Sequence, residues 1–176
     1  MAEVVYLSLG SNMGDREANL REAIAQLKDV GSIRAQSALY ETQPVEVTSQ
    51  PWFLNCVIAL ETDKAPRDLL KAVLTIEAGM GRVRFRDKGP RNIDIDLLLF
   101  GDRVVNEPGL KIPHPAMHER RFVLEPVAEI APNAWHPVLN KTASELLGAL
   151  KEGQIVRRVT GRVVPSTVTD ARYPNR

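Results

Sequence analysis

Apolar and polar positions along the N-terminal half of the chain follow strand-like and helix-like periods in turn. Residues 4–9 form a β-rich run that stops at Gly10, and Asp15 can then cap a helix with apolar residues at helical spacing. Loose alternation over residues 33–40 predicts a second strand. The following residues 41–51 contain two prolines among polar residues, which predicts a loop.

A second round of the same pattern follows. Residues 53–61 predict a strand, Pro66 suits the first turn of a helix, and Gly81 ends that helix. The apolar stripe of this helix comprises Leu69, Val73, Ile76 and Met80. Residues 93–100 predict the next strand, and a tight turn should pair it with residues 104–105 as a hairpin.

The predicted order β-α-β-β-α-β is that of an α+β ferredoxin-like sandwich, in which two helices cover one face of the sheet. Something should cover the second face, and the chain beyond Pro113 offers helices near residues 117–130 and 142–151. We expect one domain over residues 1–159. Residues 160–176 show no packing period and are expected to form a tail or an edge extension.

Composition narrows the class of protein. Of 176 residues, 44% are apolar, enough for one core, and 23 basic residues nearly balance 22 acidic ones. This balance argues against nucleic-acid or membrane partners. Cys56 lies in an apolar run, which fits a buried thiol in a reducing compartment. With neither a signal-like segment nor a membrane-length apolar run in the sequence, we expect a cytoplasmic monomer.

Asp94 and Asp96 are the first candidates for chemistry. The period of two places both carboxylates on one strand face, with Ile93, Ile95 and Leu97 packed behind them. Two carboxylates on residues whose Cα atoms lie roughly 6.5 to 7 Å apart in an apolar strand repel each other and favour a bound cation. Mg²⁺ shared with substrate phosphates suits such ligands. Two aspartates that simply face solvent would give the same short motif.

A basic run directly before this strand favours the first interpretation. The run comprises Arg82, Arg84, Arg86, Lys88 and Arg91, set among Gly81, Gly89 and Pro90. Guanidinium groups match phosphate oxygens in pairs, and glycines would allow such a loop to close over a ligand. A solvated loop is the alternative explanation.

Asn55 is a polar side chain in the middle of an apolar strand face, between Phe53 and Val57. A buried amide must satisfy both donors and acceptors. It could bond a loop backbone, or the polar edge of a flat heterocycle stacked on Phe53.

Three further polar residues are candidates for contacts with a bound ligand. Glu77 continues the row of Leu70 and Leu74 on a mostly apolar helix face, where a carboxylate needs a cationic or ligand partner. A structural ion pair with a loop arginine would also satisfy it. His114 and Arg120 supply donors that suit phosphate, although lone histidines are usually structural.

Several short stretches occur in an order typical of one enzyme family. They are Tyr40-Glu41-Thr42, Phe53-Leu54-Asn55, Ile76-Glu77, Gly81-Arg82-Val83-Arg84, Gly89-Pro90-Arg91-Asn92-Ile93-Asp94-Ile95-Asp96, and Pro113-His114 followed by Arg120 and Phe122. Together they resemble the 6-hydroxymethyl-7,8-dihydropterin pyrophosphokinases of folate biosynthesis. The resemblance runs from the opening strand to about Leu150, and its G-P-R-x-x-D-x-D stretch is the most specific part.

The resemblance implies transfer of a pyrophosphoryl group from ATP to the pterin hydroxymethyl oxygen, with release of AMP. It implies two Mg²⁺ ions at Asp94 and Asp96, with Arg82 and Arg91 also catalytic. The implied nucleotide contacts are Glu77, Arg82, Arg84, Arg91, His114 and Arg120. The implied pterin contacts are Thr42, Val45, Phe53, Asn55, Asp94 and Phe122.

Two other functions fit parts of the pattern. A nucleotidyl or glycosyl transferase could use the same D-x-D, and it would release pyrophosphate or a nucleoside diphosphate instead of AMP. A ferredoxin-like RNA-binding module could use the basic loop, but the usual paired aromatics on a central strand are missing from the sequence.

Overall fold

A computed structural model describes residues 2–43, 51–81, 92–151 and 153–162. The strands are β1 (Glu3–Ser11), β2 (Ser32–Gln36), β3 (Ala38–Thr42), β4 (Phe53–Thr62), β5 (Asp94–Phe100), β6 (Val105–Glu107), β7 (Leu110–Ile112), β8 (Trp135–His136), β9 (Lys141–Thr142) and β10 (Val156–Arg162). The helices are α1 (Arg16–Leu27), α2 (Pro66–Gly79), α3 (Arg121–Ile130) and α4 (Ala143–Gly148), with a 3-10 turn at Met117–Glu119. Within these ranges no helix has the length and apolar character needed to cross a membrane.

The main sheet has the strand order β10-β3-β4-β1-β5. β3 pairs with the first residues of β4, and β2 pairs with the last residues of the same strand. All of its described pairings are antiparallel. If β2 and β3 are taken together as one strand, the order is that of the ferredoxin-like sandwich. The predicted α+β fold is confirmed.

Strand periodicity divides the sheet into two faces. Val5, Leu7 and Leu9 of β1 join a core with the buried side chains of α1 and α2. On the other face, Val57 and Leu98 join a second core with α3 and α4. The helices after residue 113 therefore cover part of the second face, as expected for a sheet that must bury both of its apolar sides.

Local signals placed the starts of α1, α2 and α4 correctly, whereas the helix predicted near residues 117–130 begins only at Arg121, after a 3-10 turn. The Asp15 side chain accepts a hydrogen bond from the Ala18 N–H at 3.1 Å, which caps α1. Pro66 occupies the first turn of α2. At α4, Thr142 and Glu145 form a reciprocal capping box. These contacts involve only neighbouring residues, so the sequence was sufficient to predict them.

The predicted strand over residues 33–40 is two strands, which corrects the sequence reading. Ser37 separates β2 from β3 because its hydroxyl accepts from the Val57 N–H at 2.9 Å and donates to the Ala38 carbonyl at 2.7 Å. β3 then continues to Thr42, so the first two residues of the predicted loop 41–51 are strand.

The predicted hairpin between residues 93–100 and 104–105 is wrong. β5 pairs with β1 along its length, and β6 pairs with β7 instead. After Phe100 the chain turns through Gly101, whose φ of +52° favours glycine. The Gly101 N–H bonds back to the Val4 carbonyl on β1 at 2.9 Å.

No strand is predicted over residues 156–159, and β10 extends from there into the residues 160–176 expected to form a tail or an edge extension. It pairs with β3 at the edge of the main sheet, with Val156 opposite Thr42 and Arg157 opposite Glu41. The strand crosses the predicted boundary at residue 159 and runs to Arg162. Residues 163–176 lie outside the described residues.

Candidate active site

A row of residues crosses the sheet on the face that α3 and α4 cover only in part. Gly10 of β1 lies between Asn55 of β4 and Asp94 of β5 in the strand register. One step along, Ser8 lies between Val57 and Asp96. Adjacent strands are about 4.8 Å apart, so Asn55 and Asp94 flank the bare backbone of Gly10 at a separation of about 10 Å.

Asn55 is held in a fixed orientation at one end of this row. Its Nδ2 donates to the Thr42 hydroxyl on β3 at 2.6 Å, and both residues are buried. A Cβ built on Gly10 would lie 2.5 Å from Asn55 Oδ1 and 3.4 Å from the Phe53 ring. The absence of a side chain at Gly10 therefore makes room for both the amide and the aromatic ring.

Asp94 and Asp96 are half-buried at the other end of the row, while the residues that alternate with them are buried. The predicted alternation of carboxylates and apolar residues on β5 is confirmed. Among the described residues, no group of three or more His, Cys, Asp or Glu side chains is arranged to hold a metal ion. The described residues therefore offer Asp94 and Asp96 as candidate metal ligands. Two carboxylates suit an ion that completes its coordination shell with water and phosphate oxygens.

Glu77 contacts the outer edge of β5 from the end of α2. Its Oε2 accepts from the Ile95 N–H at 2.7 Å, between the two aspartates, and Glu77 is only 1% exposed. The predicted poor solvation of Glu77 is confirmed, but the row of Leu70, Leu74 and Glu77 is not buried throughout, because Leu74 is 39% exposed. Glu77 is buried against β5, where its carboxylate satisfies a backbone donor on an edge with which no other strand of the described residues pairs.

His114, Arg120 and Phe122 lie beside the same strand. The His114 N–H donates to the Leu98 carbonyl at 2.9 Å, and its Nδ1 accepts from the Ala116 N–H at 3.1 Å. Burial, together with the charge of Arg120, lowers the pKa of His114 to about 4, although Asp94 opposes the shift. The Arg120 guanidinium lies 5.6 Å from the Phe122 ring centre.

His114 is therefore a neutral imidazole near pH 7, and its tautomer follows from the hydrogen bonds. With Nδ1 acting as an acceptor, the proton resides on Nε2. The site can thus present one neutral N–H donor and a guanidinium beside the carboxylate pair. A polyphosphate with its metal ions would find both signs of charge here.

Comparison with known proteins decides the family. Residues 6–132 match the model of the 7,8-dihydro-6-hydroxymethylpterin-pyrophosphokinase family. The chain belongs to this family. A relative from Methylorubrum extorquens, named 2-amino-4-hydroxy-6-hydroxymethyldihydropteridine pyrophosphokinase, is 45% identical over 86% of this chain and 96% of its own length. The predicted family is confirmed, and with it the pyrophosphokinase activity for which the family is named.

Other similar proteins are longer than this chain. The folic acid synthesis protein FOL1 of Dictyostelium discoideum is 39% identical over 89% of this chain, which spans only 24% of that protein. A crystal structure of Plasmodium falciparum HPPK-DHPS matches 84% of this chain and 45% of its own with a TM-score of 0.70. At 18% identity, that match supports the fold alone.

The structure describes most, but not all, of the residues that the pyrophosphokinase resemblance singled out. Those described are Thr42, Phe53, Asn55, Glu77, Asp94, Asp96, His114, Arg120 and Phe122. Val45, Arg82, Arg84 and Arg91 lie outside the described residues, as do the basic loop and Lys88. Asn55, Asp94 and Asp96 share the open sheet face. His114 lies close enough to Asp94 and to Arg120 for both charges to shift its pKa.

Sequence reasoning missed Gly10 and Ser8. The sequence predicts Gly10 only as the residue at which the first strand stops, whereas β1 continues to Ser11. A glycine inside a strand is a signal for close approach of another group, and that signal was available in the sequence. Ser8 alternates with buried leucines on β1, so its place opposite Asp96 depends on the register, which the sequence did not reveal.

Proposed function

We propose that this pyrophosphokinase transfers the pyrophosphoryl group of ATP to the hydroxymethyl oxygen of 6-hydroxymethyl-7,8-dihydropterin and releases AMP. The observation that carries the proposal is the row of Asn55, Gly10 and Asp94 across three strands. The oriented Asn55 amide, the bare backbone of Gly10 and the carboxylate pair on β5 lie close enough together to contact one substrate molecule.

At the pterin end, Asn55 would read the polar edge of the ring. Its bond to Thr42 leaves Oδ1 and the second amide hydrogen for the substrate. Phe53, next to Gly10, would stack on one face of the ring, and Phe122 on the other. The backbone near Thr42 and Val45 would complete the recognition of the ring.

At the metal end, Asp94 and Asp96 would hold two Mg²⁺ ions together with the triphosphate. Two half-buried carboxylates on one strand face fit hard cations that complete their shells with water and phosphate oxygens. The ions would neutralise charge that develops on the phosphate oxygens.

At the nucleotide end, the neutral Nε2–H of His114 and the Arg120 guanidinium would bind phosphate oxygens. Arg82, Arg84 and Arg91 are proposed to do the same, with Arg82 and Arg91 also stabilising the reacting phosphoryl group. Glu77 is proposed to support the nucleotide side through β5, whose backbone it contacts.

In the reaction, the hydroxymethyl oxygen would attack the β-phosphorus in line with the departing AMP oxygen. The protein would contribute mainly alignment and charge, as in other phosphoryl transfers. Asp94, which shares the row with Asn55, is our candidate acceptor for the hydroxyl proton.

Product analysis tests the proposed function. Incubation with Mg²⁺-ATP and hydroxymethyldihydropterin should give AMP and pterin diphosphate in equal amounts, and omission of either substrate or of Mg²⁺ should stop both. Release of ADP or pyrophosphate would point to another nucleotide enzyme. Salt-sensitive RNA binding without ATP turnover would point to the binding module.

Three predictions from the sequence accompany this proposal. We propose a single domain, which β10 extends from the predicted boundary at residue 159 to Arg162, a monomeric state and a cytoplasmic location. Light scattering on the purified chain would test the monomer, with a mass near 19.5 kDa expected.

A further inference from the structure

Both chain segments that border the proposed pterin site are attached to residues far from them in sequence. One segment is Thr42 with Gln43 at the end of β3, and the other is residues 51–53 at the start of β4. Thr42 holds Asn55, and Phe53 lies beside Gly10, so the placement of these segments sets the placement of the pterin contacts.

The C-terminal segment, residues 154–157, holds the first of these segments. The Gln43 N–H donates to the Ile155 carbonyl at 3.1 Å, and Gln154 Nε2 donates to the Gln43 carbonyl at 2.9 Å. Arg157 of β10 lies opposite Glu41 in the register and bonds it at 3.4 Å. This segment therefore fixes the chain direction after Thr42.

Arg157 also reaches the second segment. Its guanidinium carbon lies 4.9 Å from the centre of the Trp52 ring. Stacking of this kind restricts the ring of the residue directly before Phe53.

Arg16, at the start of α1, joins the two segments directly. It donates to the Trp52 carbonyl at 3.0 Å and to Glu41 at 3.5 Å. From the end of β1, Asn12 Nδ2 donates to the Pro51 carbonyl at 3.2 Å. Two consecutive backbone carbonyls before Phe53 are thus each held by one side chain, that of Pro51 by Asn12 and that of Trp52 by Arg16.

Burial ranks these contacts by strength. The side chains of Arg16 and Glu41 are 16% and 8% exposed, whereas that of Arg157 is 52% exposed. An ion pair that is largely removed from water loses more on truncation than one that is half exposed. Arg16 should therefore matter more than Arg157.

We propose that Arg16, Glu41, Trp52 and Arg157 form a positioning cluster for the pterin site, through which α1 and the C-terminal segment hold Thr42 and Phe53 in place. The cluster lies on the opposite sheet face from Asn55, since Glu41 pairs with Leu54, so its residues act on the pterin only through their neighbours. The inference rests on the proposed function for the identity of the ligand.

The test compares pterin and nucleotide binding in substituted chains. Arg16→Met removes the guanidinium but keeps the aliphatic stem, and it should weaken pterin binding about tenfold, whereas Arg157→Met should weaken it about threefold. ATP-analogue affinity should change less than twofold in both. Arg34→Met is the matched control, because Arg34 pairs with Glu61 at the far end of β4, and it should change neither affinity.

Calorimetry with hydroxymethyldihydropterin and a non-hydrolysable ATP analogue measures both affinities without turnover. Trp52→Phe, which keeps a ring under Arg157, should retain near wild-type pterin affinity, whereas Trp52→Ala should lose it as Arg157→Met does. Unchanged pterin affinity in folded Arg16→Met, or equal losses for both ligands, would overturn the inference. A wild-type chain that binds both ligands but forms no AMP would refute the proposed function instead. The pterin affinities of the substituted chains would still test the positioning cluster.

Discussion

At the scale of single residues, Gly10 shows how a missing side chain can determine a site. It lies between the amide that we assign to the pterin and a carboxylate that we assign to the metal. Its neighbours Asn55 and Phe53 occupy the space that a Cβ would need. Packing also determines the character of Cys56. Burial raises the pKa of its thiol to about 12, so the side chain stays uncharged and behaves as a small apolar residue, as predicted.

Gly10→Ala should specifically weaken recognition of the pterin. The new methyl would meet Asn55 Oδ1 at 2.5 Å and force the amide to move. Loss of one well-oriented amide contact should raise the KM for the pterin by about tenfold to a hundredfold, with the KM for ATP little changed. Steady-state kinetics with each substrate varied in turn would measure this difference.

Gly148→Ala is the control for that experiment. No heavy atom lies within 4 Å of a Cβ built on Gly148, and the residue is helical. It should leave both KM values unchanged. Equal pterin KM values for the two variants would contradict the assigned role of Gly10.

At the scale of elements, the sequence predicted what depends on neighbouring positions. The period of two placed Asp94 and Asp96 on one face of β5, and the caps of α1 and α4 were readable from a few adjacent residues. Contacts between elements were not readable. The break at Ser37 depends on Val57, and the burial of Glu77 depends on its hydrogen bond with the Ile95 N–H of β5.

Removal of the Glu77 carboxylate should loosen β5 as an element. Glu77→Ala leaves the buried Ile95 N–H without this acceptor, which should lower the free energy of unfolding by about 1 to 3 kcal/mol. Because Ile95 lies between the two aspartates, the Mg²⁺ concentration needed for half-maximal activity should rise as well. Urea denaturation and a Mg²⁺ titration of activity would measure the two effects.

Glu22→Ala offers a comparison on α1. Glu22 bonds Gln26 on an exposed helix surface, so its loss should change stability by less than about 0.5 kcal/mol. A Glu77→Ala chain with wild-type stability and wild-type Mg²⁺ dependence would show that the carboxylate does not support β5.

At the scale of the whole molecule, β10 was the largest gap in the sequence prediction. Its residues form a strand because β3 offers an edge more than a hundred positions earlier in the chain, and such a pairing has no local signature. Because the sequence does not reveal the pairing of β10 with β3, it does not reveal the link between the C-terminal segment and Gln43 either.

Global stability should fall as the solution becomes acidic, because the buried His136 and the half-buried His114 are held in neutral form. Burial, with a smaller effect of the His118 charge, lowers the pKa of His136, and the pKa of His114 is lowered to about 4. The unfolded chain takes up protons near the ordinary pKa of about 6.5, whereas the folded chain does not. Stability is thus full above that value and declines as the pH falls from about 6.5 towards 4.

Urea midpoints at pH 7 and pH 5 would show this decline before most carboxylates titrate. His136→Asn should reduce it, because the amide oxygen can replace Nδ1 as acceptor for the Val138 and Leu139 N–H groups without binding a proton. The same decline in both chains would mean that His136 does not contribute to it.

The carboxylate pair on β5 is the centre of this account, and turnover of Asp96→Asn tests it most directly. The substitution keeps the shape of the side chain but removes the charge that should hold Mg²⁺, so AMP formation at saturating Mg²⁺ should fall by at least about a thousandfold. Unfolding stability and pterin affinity should stay near wild type, and Asp102→Asn, in the exposed turn after β5, should keep full activity. Wild-type AMP formation by folded Asp96→Asn would contradict the account.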